Sequence, residues 1–541
     1  VDLNTNTTKK VTLAAINQNA AAGTAAAPGM AFDGDSDTGW YRTGANAIGL
    51  AQGGSQTIDI DSAGNVSLQA TSHLKLPVGT SAQRPGSPAT GMTRYNSSLG
   101  WAEIYDGTQW TIVETRPQIG RLTWNQTADT YTSLADADKV IDVQSRLRRC
   151  ILTDTGVVAY YLDADDSTKK AGDWLRIVEN QTISVDYTGT HSETTNAKLR
   201  EGVPAWSAGT YSQGNRVTYG GSLWECIVTT TTATPAAGSI SAVLDGTDGQ
   251  VMVEVPCFSV RYTRTTTSHA WEVRRGAHIE DGWQVHRAFL RADGRIRDFL
   301  YIGAYQSTGT SPATTVSGAS NRVSATRATF RSAATARGSG WHLWSQYDLA
   351  AVQLLMVTEF QTLNTQRKLG NGAQEGNVYV VNTGLSNAQG NKSQNAYTGG
   401  GSNTDYVSYR GLENVYGRAW QWTDGFNVNN YVAYLSHTYA TFADDTATGY
   451  TAVGTVPSGV SGAYQTGLMT LPDAFIPSLA SGGSSTTRLA DGLWTDSGWR
   501  VPFAGGGANA GAIVGAFCLY LNAASSSANS NFGSRLAFGA I

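Results

Sequence analysis

The residues that would first suggest chemistry are Glu413 and Asp424, two carboxylates close enough in sequence for the general acid and base of glycoside cleavage. His342 and His437 stand alone, and an isolated His is more often a hydrogen-bonded structural residue than a catalyst. The cysteines Cys150, Cys226, Cys257 and Cys518 are scattered without CxxC spacing, which points to reduced buried thiols rather than disulfides or a metal site. Asp33, Asp35 and Asp37 lie in a glycine-rich stretch but lack the downstream bidentate Glu of a calcium loop. Gly505, Gly506 and Gly507 lack the Lys and Ser or Thr that complete a phosphate loop. No enzyme, metal or cofactor is expected from these residues.

A different chemistry is written in the aromatic residues. Fifteen tryptophans and 24 tyrosines supply rigid, half-polar contact area of the kind binding surfaces use. They are set among 61 glycines and many small polar residues, a composition that favours β-rich, turn-rich architecture. A net charge of −4, with only 15% charged residues, argues against a nucleic-acid partner. No apolar run is long enough for a membrane span and no signal peptide is expected, while the start at Val1 implies that an initiator methionine, and more besides, is missing from or has been removed from this end. The free thiols fit synthesis in a cytoplasm.

With 541 residues, two to four domains are expected. Residues 1–75 read as short alternating strands, such as 56–60 and 65–69, which cannot bury a core alone and are expected to pair with copies of themselves. Residues 76–119 read as a connector marked by Pro77, Pro85 and Pro88, then hairpin strands between Met92 and Val113 around Asp106 and Gly107. Residues 120–541 read as one large domain interrupted by an insertion at 173–240. Within it, one helix is expected over 344–363, with apolar residues at Leu349, Val352, Leu355, Met356, Phe360 and Leu363. Ser345 would cap it with Asp348, and Gly370 would stop it.

Several phrases carry resemblances. FDGDSDTGWYR at 32–42 and the stretch from 76 to 110 resemble recurrent modules of bacteriophage tail fibres, which implies a homotrimeric shaft joined to other virion tail proteins at the N-terminal end. Trp206, Tyr211, Gly214, Val217, Tyr219, Gly221, Trp224 and Cys226 follow a spacing similar to the small carbohydrate-binding modules of chitinases. In that resemblance Trp206, Tyr211, Tyr219 and Trp224 would stack on sugar or would form the module's own core.

Gly411, Glu413, Asn414, Gly417, Trp420, Gln421, Trp422, Asp424 and Gly425 resemble the signature of the formylglycine-generating-enzyme variety of the C-type lectin fold, with Tyr416 and Arg418 departing from it. Phage receptor-binding proteins with this fold also carry phrases like VMVEVP at 251–256, DGWQVHRAF at 281–289 and YIGAY at 301–305. The fold's oxidases hold copper on paired cysteines, which this chain lacks. The resemblance implies that Glu413 and Asp424 belong to the structural signature.

The fold expected is therefore mainly β with a minor α component: N-terminal β-rich fibre modules, then an α+β C-type-lectin-like domain. Residues 498–541 resemble the variable patch that ends the lectin domain in proteins of diversity-generating retroelements. On that reading Phe517, Leu519, Leu521 and Leu536 are scaffold. The receptor-contact positions would be Trp494, Trp499, Phe503, Ala508, Asn509, Ala510, Ala512, Ile513, Val514, Ala516, Cys518, Tyr520 and Asn522. The implied protein is a virion tail fibre, made in the host cytoplasm, that binds a protein or glycan receptor on the bacterial surface. The alternatives are a tailspike-type glycan-degrading enzyme and a purely structural fibre protein.

Overall fold

The computed structural model describes residues 22–68, 76–80, 83–96, 101–105, 107, 110–112, 119–134, 139–183, 191–370, 372–373, 376–397 and 402–539. The readings made on residues 1–21 and 69–75, including Gln69, and on Asp106 and Val113 lie outside them. The architecture is mainly β with few helices. The chain divides into two units, Val1–Pro77 and Val78–Ile541.

In the first unit five strands form an antiparallel meander: Met30–Phe32, Asp35–Gly44, Ala47–Gln52, Ser55–Ile60 and Val66–Leu68. Directly paired residues share a face, so the register places Met30, Trp40, Leu50, Ile58 and Leu68 in one row. Ile48, Ile60 and Val66 make a second row on that same side. Tyr41 and Ala51 on the opposite side are buried, whereas Met30, Trp40, Ile48, Val66 and Leu68 are exposed. A large apolar face thus has no partner within the described residues of its unit.

The second unit opens with a small sheet in which Trp101–Tyr105 pairs with both Thr93–Asn96 and Trp110–Ile112. Two larger sheets follow. One runs Val158–Tyr161, Arg148–Leu152, Gln250–Pro256, Phe299–Gly303, Leu536–Phe538, Trp341–Leu343. The other runs Thr130–Thr132, Ile119–Asn125, Ser268–Arg275, Phe258–Arg264, Trp283–Val285. In Ser268–Arg275 every second residue is buried, the pattern of a strand with one face on the core. Strands between Trp174 and Thr231 pair only with one another among the described residues, so this stretch builds its own small sheets.

The helix spans Gln346–Phe360 with Ser345 as N-cap. The Asp348 N–H donates to Ser345 Oγ (3.1 Å) and the Ser345 N–H to Asp348 Oδ2 (2.7 Å), satisfying two otherwise orphaned donors. Two expectations need correction. The helix stops at Gln361, in the left-handed conformation (φ 56°), because the Gln361 side chain donates to the carbonyls of Arg121 and Thr358 there. Gly370 closes a separate short helix, Gln366–Leu369. Nor is the helix one-sided, since all 15 residues are buried. Strands Ile119–Asn125 and Ser268–Arg275 pack on it, and the C-terminal stretch reaches it through Gln353 Nε2, which donates to the Ala516 carbonyl (2.6 Å).

Residues 498–541 are likewise not a free-standing face. Their strands Trp499–Arg500, Phe503–Ala504, Leu519–Leu521, Phe532–Gly533 and Leu536–Phe538 are distributed over three sheets. Leu536–Phe538 lies between two other strands of the large six-stranded sheet.

Because both capping bonds are buried, Ser345→Ala should destabilise the second unit by about 1 kcal/mol, read as a lower urea midpoint by tryptophan fluorescence. An unchanged midpoint would show that the cap contributes nothing to the fold.

Candidate functional site

A second six-stranded sheet gathers Trp420, Trp422, Trp494, Phe503, Tyr520 and Phe532. Its order is Ser461–Tyr464, Gly492–Thr495, Leu519–Leu521, Phe503–Ala504, Trp420–Trp422, Phe532–Gly533. Trp494 pairs with Tyr520, Tyr520 with Phe503, and Phe503 with Trp422, which aligns all four on one face. The rings touch in sequence. Trp494 and Tyr520 are 5.5 Å apart, Tyr520 stacks on Phe503 at 4.6 Å, and Phe503 lies 4.3 Å from Phe532 and 4.8 Å from Trp422. Trp420 meets Trp494 edge-on at 5.5 Å. The array grades from half-buried at Trp494 and Tyr520 to buried at Phe503, Trp422 and Phe532.

A short turn, Gly511–Ile513, lies over the Trp494 end. A Cβ at Gly492 would stand 2.8 Å from Ile513 Cδ1, so the absence of a side chain there lets the turn come close to the sheet. Gly507 plays the same part against Trp420, 2.8 Å from the ring. Around Trp494 and Tyr520 the surface is completed by exposed Asn509 and Ala512 and half-buried Ala510 and Ile513. The result is a patch of large flat rings and small residues on a rigid sheet, suited to recognition by stacking and shape.

Five of the expected contact positions are corrected. Phe503, Ala508, Val514, Ala516 and Cys518 are buried and cannot offer their side chains to a ligand. Phe503 is enclosed by Tyr520, Phe532 and Trp422. Ala508 is tied by its N–H to the Arg418 carbonyl (2.9 Å), while the carbonyls of Val514 and Ala516 accept from Gln366 and Gln353. Burial and the neighbouring Asp491 carboxyl hold the Cys518 thiol well above its usual pKa, leaving it inert. All four cysteines are free and buried.

Trp499 is half-buried on the adjacent sheet, facing Tyr434 at 6.2 Å. Tyr434 escaped the sequence reading, although the alternation at 432–435 beside a turn is the signal that marks it. Asn522 is half-buried, and no ring contact joins Trp499 to Trp494 or Tyr520 among the described residues.

The aromatics of the inserted module mostly build its own core. Trp224 is buried with Trp174, Val217 and Cys226, and its ring N–H donates to the Tyr219 carbonyl (3.1 Å), which removes it as a stacking platform. Tyr211 packs edge-on to Trp174 at 5.1 Å, and Trp206 packs on Tyr219 at 5.4 Å. Tyr219 is the exposed ring of the four.

Neither suspected carboxylate is open to a substrate. Glu413 is buried and accepts from the N–H and Oγ of Ser386 (2.6 and 2.8 Å), and Asp424 is buried in a bidentate pair with Arg331 (2.5 and 2.8 Å). His342 is held between the Gly340 carbonyl (3.0 Å) and Asp348 (3.2 Å) and stacks on Tyr439. His437 is half-buried, and burial lowers its pKa. Among the described residues no group of three or more His, Cys, Asp or Glu is gathered for a metal ion. No helix among them is long and apolar enough to cross a membrane.

No protein-family model and no curated protein matches the chain. Among solved structures it is similar to the "Major Tropism Determinant U1 Variant", at 11% identity and a TM-score of 0.24, and to the P3c variant, at 12% and 0.25. Each alignment covers 86% of this chain and 99% of the other. Similarity at this level decides neither fold nor function.

Beneath the patch, Asp491 immediately precedes the Trp494 strand and accepts from the Phe517 N–H (3.1 Å), while its Oδ2 is buried without a partner. Burial pushes its carboxyl up to about 8. An unfolded Asp titrates near 4, so between roughly pH 4 and 8 the native state holds a proton that the unfolded state has lost, and stability falls as pH rises through that window. Asp491→Asn removes this term. Its melting temperature relative to wild type should climb between pH 5 and pH 8, and parallel pH profiles would show that the buried acid is ionised throughout.

Proposed function

We propose that the chain is a receptor-binding protein of a bacteriophage tail fibre, attaching the virion to the bacterial surface through its C-terminal, C-type-lectin-like domain. The observation that carries this reading is the graded aromatic array. Trp494 and Tyr520 present open ring surface, yet their positions are fixed by the buried rings of Phe503, Trp420 and Trp422 behind them. Rings held in this way lose little entropy on binding, and aromatic anchors of this type dominate the energetics of recognition. Asn509, Ala510, Ala512 and Ile513 ring the pair with small or adaptable side chains, and Trp499 with Tyr434 offers a second aromatic surface. The phrases shared with tail-fibre and lectin-like receptor-binding proteins support the same assignment. The ligand is a protein or glycan of the host surface, and binding proceeds without bond-making or breaking.

Self-association, as a homotrimer, completes the reading. The eight apolar residues aligned on one face of the N-terminal meander carry no charge to recruit a dissimilar partner, and a single-layer sheet reaches stability by covering such a face. Joining three weak faces raises avidity by about 10²–10⁴ without new contacts.

Two experiments test these parts separately. In pull-down of a panel of bacterial strains by purified protein, Trp494→Ala combined with Tyr520→Ala should reduce cell binding at least tenfold, each lost ring contributing about 1–2 kcal/mol, with the protein still folded and its oligomer size unchanged. Binding that survives intact moves the receptor face elsewhere, and loss of host polysaccharide on incubation would point to the tailspike-type enzyme instead. In light scattering, Ile48→Glu with Val66→Glu should lower the mass to that of one chain. An unaltered mass would remove the meander from the subunit interface.

A further inference from the structure

Beneath the Trp494 and Tyr520 rings lie two buried polar side chains that grip the same residue. Gln465 follows the edge strand Ser461–Tyr464, and its N–H donates to the Asp491 carbonyl (2.9 Å), next to the paired Tyr464 and Gly492. The two residues therefore stand opposite each other across the strands, with their side chains on one face. Both are fully buried.

The residue they hold is Phe517. Its N–H donates to Asp491 Oδ1 (3.1 Å), and its carbonyl accepts from Gln465 Nε2 (2.5 Å), which also reaches the Gly492 carbonyl (3.2 Å). Two carbonyl acceptors fix which end of the Gln465 amide is nitrogen, so Oε1 is the atom left over. That oxygen is buried without a donor, and so is Asp491 Oδ2. Two such acceptors on residues directly paired across the strands are costly as they stand. One proton removes both deficits, since a neutral carboxyl group donates a hydrogen bond.

The surroundings favour that neutral form. Gln366 of the short helix donates to the Val514 carbonyl beside Gly515, where a Cβ would stand 2.1 Å from Asp491 Oδ1. The titratable group set against Asp491 is the Cys518 thiol, held well above its usual range by burial and by that carboxyl. Burial, opposed in part by the backbone N–H groups of Phe517 and Cys518, pushes Asp491 up to about 8.

We propose, on the reading of Trp494 and Tyr520 as the receptor face, that Asp491 keeps its proton in the folded protein and donates it to Gln465 Oε1, and that this pair positions the face. Phe517 lies between the Gly511–Ile513 turn that covers Trp494 and the Leu519–Leu521 strand that carries Tyr520. Held at both its N–H and its carbonyl, it fixes how turn and strand meet. When the chain opens here, Asp491 meets water and ionises in the ordinary carboxylate range. Opening is therefore favoured increasingly as pH rises from about 4 to about 8, and gains nothing further above that.

The test is hydrogen exchange of the full-length protein, read by mass spectrometry in residues 511–521 from about pH 5 to pH 9. Asp491→Asn is the reference at each pH, because its amide offers both bonds without titrating. The ratio of wild-type to variant exchange should grow about tenfold per pH unit up to about pH 8 and then level off. In Gln465→Met the levelling should move to lower pH, since the acid has lost its acceptor. Should Asp491→Asn not fold, the helix Gln346–Phe360 of the wild type replaces it as reference. A ratio that stays flat overturns the proposal, as does a levelling pH that Gln465→Met leaves in place. Cell binding at neutral pH is measured separately. Asp491→Asn should retain it, and Asp491→Ala, which offers neither bond, should lose about fivefold or more. Full binding by Asp491→Ala overturns the positioning role. The exchange profile involves no host cell, so it holds or fails independently of the receptor-binding reading.

Discussion

The second unit depends on guanidinium groups buried among backbone carbonyls. Arg149, Arg327, Arg410, Arg418 and Arg535 are among its largest fully buried side chains. Arg535 donates to the carbonyls of Gly303 (2.7 Å), Glu413 (2.6 Å) and Asn414 (2.9 Å) and to Gln421 Oε1 (3.0 Å). Arg327 reaches the carbonyls of Thr423 and Phe426, Arg410 those of Val178 and Glu179, and Arg418 those of Val378, Ser402 and Asp405. The need for them follows from the fold. Much of this unit is irregular chain packed inward, and buried carbonyls without a ladder partner must find donors elsewhere. Arginine brings five donors in one rigid plane, so a single side chain serves several strands and loops at once. The cost is a desolvated cation, and burial accordingly lowers the Arg535 guanidinium to about 9.

This division of labour frees the surface. Long-range hydrogen bonding and buried rings fix the backbone beneath Asn509 and Ala512, so the exposed side chains there contribute little to stability. Substitutions at such positions usually change stability by about half a kcal/mol or less. The small residues of 505–515 therefore have two distinct causes. Gly507 is glycine because Trp420 occupies the space its Cβ would fill, whereas Ala512 is small with nothing pressing on it.

Those two causes also mark where the sequence is legible and where it is not. The helix was readable because its signals are local: apolar spacing, a Ser345 cap and Asp348 three residues on. Its true end was not, since Gln361 adopts a left-handed conformation held by a bond to Arg121, 240 residues away. The same holds in the C-terminal stretch. Phe517, Leu519, Leu521 and Leu536 declare themselves as core by their chemistry and are buried. Ala508 and Ala516 are chemically neutral on that question, and the bonds that hold them inside come from Arg418 and Gln353, which no local pattern connects to them. Phe503 and Trp224 fail for the opposite reason: an aromatic ring suits a core and a binding face equally well.

The inserted module shows how a small domain acquires a fixed direction. Its apolar clusters are small: Trp174, Val217, Trp224 and Cys226 form one, and Ile177, Leu199 and Leu223 pack on Ile141 of the body in another. Apolar contact alone is non-directional and would let so small a body rock on its neighbour. Glu225 supplies the direction, lying in a strand of the module while holding Arg146 and Arg148 of the body. Arg410 adds to it by tying the carbonyls of Val178 and Glu179 to Glu359 on the central helix. Ion pairs so little exposed add less net stability than their short distances suggest, because desolvation offsets the attraction. What they do impose is geometry, since each bond is satisfied in one relative orientation only. The module is thereby oriented by the same device that organises the body, a guanidinium shared between segments distant in sequence.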